Sequence, residues 1–176
     1  MKPITFWKII AIIGWLLFLI VLYFWLWLPD IEANEEPDWK TLIPIIIHIE
    51  SSNNPNAISK TDCIGLMQIS PIVLKEWNEQ KSPPSIIDTK NNIYHIEPHF
   101  LKEALFNPDI NIAIGTWYLK RIWFHYLKGK GTIKDMLICY NFGYGNWLKY
   151  KQGKVKLPKE TRNYIKRYYH LAKESR

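Results

Sequence analysis

Glu50 closes a largely apolar run, Leu42 to Ile49. Neighbours of that kind strip water from a carboxylate and disfavour its charged form. If 41–51 is helical, Glu50 also lies in the last turn, where the partial negative charge of the helix end acts in the same direction. Both effects favour a carboxyl that keeps its proton near neutral pH, which is what a general acid requires. A glutamate at a helix end that merely reaches solvent fits the same residues, and they leave both readings open. Downstream come a polar–apolar loop, "NNPNAISKTDCIGLMQIS", then "CYNFG", then "ETRNY".

Other chemistries lack their residues. His48, His95, His99, His125 and His170 have no serine or cysteine beside them in any nucleophile motif. No helix pairs histidines with a carboxylate at zinc spacing, and no phosphate-binding loop is present. Neither a metal nor another cofactor is implied. Cys63 and Cys139 are too few for a disulfide framework. They fit either a pair in an oxidising compartment or two small buried residues.

The elements that must position Glu50 are mostly helical. A first helix is expected from Asp38 or Thr41, with Pro44 in its first turn, and it must stop before Asn54, which precedes Pro55. Residues 57–70 read as a small β-hairpin or irregular loop. Residues 71–98 read as loops around a short helix, 72–80, and carry no readable chemistry. The strongest helix signal runs from the cap Asn107 through Pro108 to Gly129, and Gly115 within it implies close packing. A helix capped at Thr132 is broken by Gly143 and Gly145, and a last helix covers 159–174. The fold class is mainly α with a minor β element.

The N-terminus is of another kind. Ile9 to Leu28 are twenty residues without a charge. Taken as 6–28, the segment reaches roughly 35 Å at about 1.5 Å per residue, enough for a ~30 Å bilayer core. Its apolar run is too long for a cleaved leader and no small-x-small site follows, so it reads as a transmembrane signal anchor. Lys2 and Lys8 place residues 1–5 in the cytoplasm and the rest outside. Residues 29–39 form an acidic tether. Setting aside Lys2 and Lys8 from the 23 Lys+Arg, and five tether acids from the 16 Asp+Glu, leaves 40–176 at a net of about +10. Such a domain suits a polyanionic partner, and export points to an envelope polymer or lipid surface rather than nucleic acid.

The ordered set "ES…NPNAIS…GLMQIS", "NPDINIAIGTWYL", "YNFG" and "ETRNYI" resembles the soluble lytic transglycosylase catalytic domain, over about 43–170 with 71–98 poorly matched. The resemblance implies a lysozyme-like fold. It also implies cleavage of the β-1,4 bond between N-acetylmuramic acid and N-acetylglucosamine in peptidoglycan, with the muramyl 6-hydroxyl as nucleophile and a 1,6-anhydromuramyl product. Glu50 takes the place of the family's single acid and base, with no metal or cofactor. Ser59 is expected to contact a substrate N-acetyl or hydroxyl group, Met67 and Gln68 to line the cleft, Tyr140 and Asn141 to lie close to Glu50, and Glu160 to stand on the cleft wall. Asp62, Cys63 and Cys139 replace small residues of the family pattern. Asp62 raises a second reading, a hydrolytic muramidase in which it positions water. A third is an inactive peptidoglycan-binding module. The chain fits general wall turnover or gap-making for an envelope-spanning secretion or conjugation complex; a phage-type lysin held by its anchor is a further reading, but releasable anchors are usually only weakly apolar and this one, rich in Leu, Ile and Trp, is not. Together with the anchor and its flanking lysines, the resemblance implies a bacterial inner-membrane protein, single-pass, with the catalytic domain periplasmic or otherwise extracytoplasmic.

Overall fold

The computed structural model describes residues 13–20, 22–23, 36–80, 86–87, 93–94 and 101–175. The chain divides into two units, 1–33 and 34–176. In the first, 13–20 and 22–23 are helical and exposed. The remainder of the 6–28 segment, residues 1–5 and most of the tether lie outside the described residues. Among those described, no helix is long and apolar enough to cross a membrane.

The second unit is mainly helical. Its first helix, α1, is Trp39–Ser51. Asp38 caps it, accepting from the Lys40 amide at 3.1 Å and the Thr41 hydroxyl at 2.7 Å. Pro44 therefore falls in the second turn, not the first as expected, and removes the amide that would have bonded the Lys40 carbonyl. The helix ends as Ser52 turns left-handed at φ +54° and its amide bonds the His48 carbonyl. Leu42, Ile45, Ile46 and Ile49 form its buried face.

The next helix, α2, is Pro71–Asn78, capped by Ser70. An antiparallel pair follows, β1 (Ile86–Ile87) and β2 (Ile93–Tyr94), in register Ile86 with Tyr94. It sits where the sequence predicts loop. The stretch read as a hairpin or irregular loop, 57–70, holds two isolated bridges, Ile58–Ile64 and Ile64–Ile69, within a series of turns. A four-residue helix, α3 (Leu101–Ala104), leads to α4, Pro108–Arg121, capped by Asn107. The chain then winds on through a π-helical segment, Ile122–Tyr126.

Helix α5 is Ile133–Phe142, opened by a reciprocal capping box between Thr132 and Asp135. Gly143, at φ +88°, ends it. Gly145 breaks nothing: it lies inside a further helix, α6 (Tyr144–Lys151), which the sequence reading did not separate. The last helix, α7, is Lys159–Glu174. It packs on α1 and α5, and α5 also packs on α6. The core joins the apolar face of α1 to Ile114 and Leu119 of α4, Met136 to Cys139 of α5, and Tyr164, Ile165 and Tyr168 of α7.

Candidate active site

A cleft of about 910 Å³ opens where the C-terminal turn of α1, the 59–70 loop, α2, the α5–α6 junction and α7 converge. The 59–70 loop holds its shape by bonding to itself. Ser59 Oγ accepts from the amides of Thr61, at 3.2 Å, and Cys63, at 3.0 Å. Gln68 is left-handed at φ +49°, and its Nε2 donates to the carbonyls of Gly65, at 2.9 Å, and Ala57, at 3.2 Å. Behind the loop, buried Asn111 of α4 accepts from the Met67 amide at 2.8 Å. It donates to the carbonyls of Ile64, at 2.8 Å, and Leu105, at 2.9 Å. Tyr140 ties α5 to the same loop by donating to the Met67 carbonyl at 2.8 Å.

Glu50 faces this cleft from the end of α1, mostly buried. Burial is the largest influence on its carboxyl and raises the pKa from 4.5 to about 7, with the nearby charge of Glu160 adding to the rise. Tyr164 and the Arg167 guanidinium pull it down but are outweighed. The Tyr164 hydroxyl is close enough to favour the carboxylate, yet it is buried and has no partner at hydrogen-bonding geometry. Burial also holds the Tyr140 and Tyr164 hydroxyls well above the usual phenol range, so both remain donors. A carboxyl half-protonated near neutral pH, facing an open cleft, is competent to give a proton and to take one back. Among the described residues no group of His, Cys, Asp or Glu is placed to hold a metal ion.

Of the residues singled out from sequence, Glu50, Ser59, Gln68, Tyr140, Asn141 and Glu160 line the cleft together. Met67 does not. It is fully buried, packed so tightly on α4 that a Cβ on Gly115 would meet its Cε at 2.8 Å, and it offers the site only its backbone. Asp62 does not either. It is exposed, left-handed at φ +59°, with its amide bonded to the Ser59 carbonyl at 3.2 Å, as a turn residue. Cys63 faces the cleft while Cys139 is buried; both are free thiols, and burial pushes the Cys139 thiol up to about 12.

Several wall residues were not foreseen. Tyr164 and Arg167 stand four and seven residues after Glu160, the spacing of one helical face, so that pattern was there to read. Glu76 lies in the segment from which no chemistry was expected. Its carboxylate accepts from Tyr126 at 2.7 Å and Arg121 at 3.1 Å, bracing α2 against the π-helical segment.

A family model, the transglycosylase SLT domain, matches residues 29–163. This chain belongs to that family. Two relatives are each named membrane-bound lytic murein transglycosylase E, from two Buchnera aphidicola strains. The Acyrthosiphon pisum strain's protein is 32% identical over 60% of this chain and 43% of its own length. The Baizongia pistaciae strain's protein is 30% identical over 79% of this chain and 57% of its own. An endo-type membrane-bound lytic murein transglycosylase A of Cronobacter sakazakii is 26% identical over 68% of this chain and 60% of its own length. The chain thus spans about half the length of the curated relatives it matches. No solved structure matches.

Proposed function

We propose that this SLT-domain chain is a membrane-anchored peptidoglycan lytic transglycosylase. The observation that carries the reading is Glu50: a mostly buried carboxyl with its pKa raised to about 7, on the wall of a cleft that Ser59, Gln68, Tyr140 and Asn141 also line. Glu50 protonates the glycosidic oxygen as the muramyl C1–O bond breaks, leaving the glucosamine 4-hydroxyl as product. The resulting carboxylate then takes the proton of the muramyl 6-hydroxyl, whose oxygen bonds to C1. The substrate's N-acetyl group does the work of the second carboxylate that ordinary glycosidases carry. The uncharged run before the domain is the anchor, in keeping with relatives named membrane-bound. The basic domain gathers wall polymer rich in peptide carboxylates.

The hydrolase reading needs a carboxylate across the sugar from Glu50, with room for a water between them. Asp62 is not on the cleft wall, and its left-handed turn accounts for it without catalysis. Asp62→Gly is therefore expected to leave the rate within a few-fold. Mass spectrometry of the digested muropeptides should show 1,6-anhydromuramyl ends for both proteins. Reducing muramic ends that vanish in Asp62→Gly would overturn the transglycosylase reading.

The proton that Glu50 gives must be present in the free enzyme. With the pKa raised to about 7, kcat/KM should hold below that value and fall about tenfold per pH unit above it. A profile flat to pH 9 would mean that another group supplies the proton.

A further inference from the structure

We infer that the lysine-rich corner between α6 and α7, Lys149 to Lys159, docks on an anionic phospholipid surface, that of the bilayer holding the anchor. The inference rests on the reading of 6–28 as a membrane anchor. From Met136 to Lys159 the chain carries Lys149, Lys151, Lys154, Lys156 and Lys159 and no acidic residue. All these lysines are exposed, and none lines the cleft. The turn that follows α6 gathers them. Gly153, left-handed at φ +70°, donates its amide to the Tyr150 carbonyl at 2.9 Å, and the Lys154 amide donates to the Lys149 carbonyl at 2.9 Å. The chain thus folds back on the helix end that carries Lys149 and Lys151. Lys151 is engaged, 3.6 Å from Asp135 and over the Trp147 ring. Among the described residues the other four form no ion pair within 4.0 Å.

Local structure does not account for this charge. Lys149 and Lys151 complement the negative end of α6. Lys154 and Lys156 lie in no helix, and Lys159 opens α7, where the positive helix end disfavours a cation. Like charges gathered on one turn repel, and an anionic partner relieves that. A second observation points to lipid. Helix α6 has no fully buried residue, and it presents Leu148, 38% exposed, between the half-buried rings of Trp147 and Tyr150. Lysines around an exposed aliphatic side chain and aromatic rings are the composition of a segment that lies at a bilayer interface. A lysine is a compact charge on a flexible stem, suited to a fluid field of headgroups rather than to one fixed anion. Reach agrees. Residues 29–38 separate the anchor from α1 and extend to about 36 Å at most, so the bilayer stays near the catalytic unit.

The test places the full-length chain in nanodiscs of phosphatidylcholine, alone or mixed with phosphatidylglycerol, and reads the acylation rate of each lysine by mass spectrometry. Lys149, Lys154, Lys156 and Lys159 should react about fivefold more slowly in the anionic discs, the effect of one charge near such a surface. Exposed Lys60 and Lys102 should not change. High salt should restore the rates. With Lys154→Glu and Lys156→Glu together, both on the exposed connection between the helices, Lys149 and Lys159 should react alike in the two discs. Equal rates in the two discs, a slowing that Lys60 and Lys102 share, or one that survives the double variant would overturn the docking surface. So would protection by soluble wall fragments in neutral discs with none from phosphatidylglycerol, which would give the patch to the wall polymer. A chain washed from neutral discs by salt has no anchor, and the inference fails with it. Cleavage of sacculi is measured separately. A chain that cleaves but shows no protection loses only the docking surface, and a protected chain that never cleaves loses only the catalytic reading.

Discussion

Glu50→Gln is expected to abolish lysis of purified sacculi and, at the same time, to make the domain more stable above neutral pH. The first effect follows from chemistry. Gln keeps the shape of the side chain but has no proton of suitable acidity, and a positioned acid–base group is worth roughly 10²–10⁴ in rate. The second follows from burial. Glu50 carries a folded-state pKa of about 7 against an ordinary value of 4.5. A raised folded-state pKa favours the folded state fully below the unfolded value. That contribution is lost as pH climbs from about 4.5 to about 7, because the unfolded chain releases the proton while the folded one holds it. Above pH 7 the folded protein keeps a poorly solvated carboxylate, a penalty of about 3 kcal/mol at most for a shift of this size. Gln pays no such penalty. Denaturant unfolding at pH 5 and pH 8 should therefore show the variant gaining on the parent at the higher pH. Sacculus lysis that survives in Glu50→Gln would remove Glu50 as the acid. A variant that loses stability at pH 8 would show that burial is not what raises its pKa.

The sequence made some of this site legible and hid the rest, for identifiable reasons. Glu50 was readable because an apolar stretch, a cap at Asp38 and the Asn54–Pro55 stop are local signals that place one carboxylate at one helix end. The caps Asn107 and Thr132 were readable for the same reason. Gly145 misled because a glycine is only a weak breaker. Once Gly143 has taken the positive φ, the chain is free to restart a helix at Tyr144. Met67 misled in a different way. Its place between Leu66 and Gln68 says nothing about which side chain faces the cleft. The turn at Gly65 and the left-handed Gln68 turn Met67 inward against Gly115. Glu76 had no local signal, since its role depends on Arg121 and Tyr126, 45 and 50 residues away. Asn111 carries no local signal either: it is a polar residue beside apolar neighbours in a helix, and its role lies in contacts to Met67, Ile64 and Leu105.

Those contacts make Asn111→Leu the most destabilising single change expected away from the cleft. The side chains branch alike and Leu is the larger, so no cavity opens, but three hydrogen bonds disappear together and the extra bulk must be accommodated. The Met67 amide and the Ile64 and Leu105 carbonyls are then left without that side chain, at about 1–3 kcal/mol for each buried group that stays unsatisfied. Partial relaxation makes a total of about 3–5 kcal/mol reasonable, a large share of the roughly 5–15 kcal/mol that a domain has. Gly65→Ala attacks the same clamp from the other side. Gly65 is left-handed at φ +79°, and an added Cβ would stand 2.6 Å from the Leu105 carbonyl oxygen and collide with the Asn111 amide. Because both changes dislodge one contact set, the double variant should lose less than the sum of the two single losses. The effect also reaches the cleft. Freeing the Met67 backbone loosens the anchor that accepts from Tyr140 and the loop that presents Ser59 and Gln68. Thermal unfolding should show Tm lower by on the order of 10 °C for Asn111→Leu. Activity should fall at temperatures where the helices persist. A loss under 1 kcal/mol, or strict additivity with Gly65→Ala, would mean that the loop is held from elsewhere.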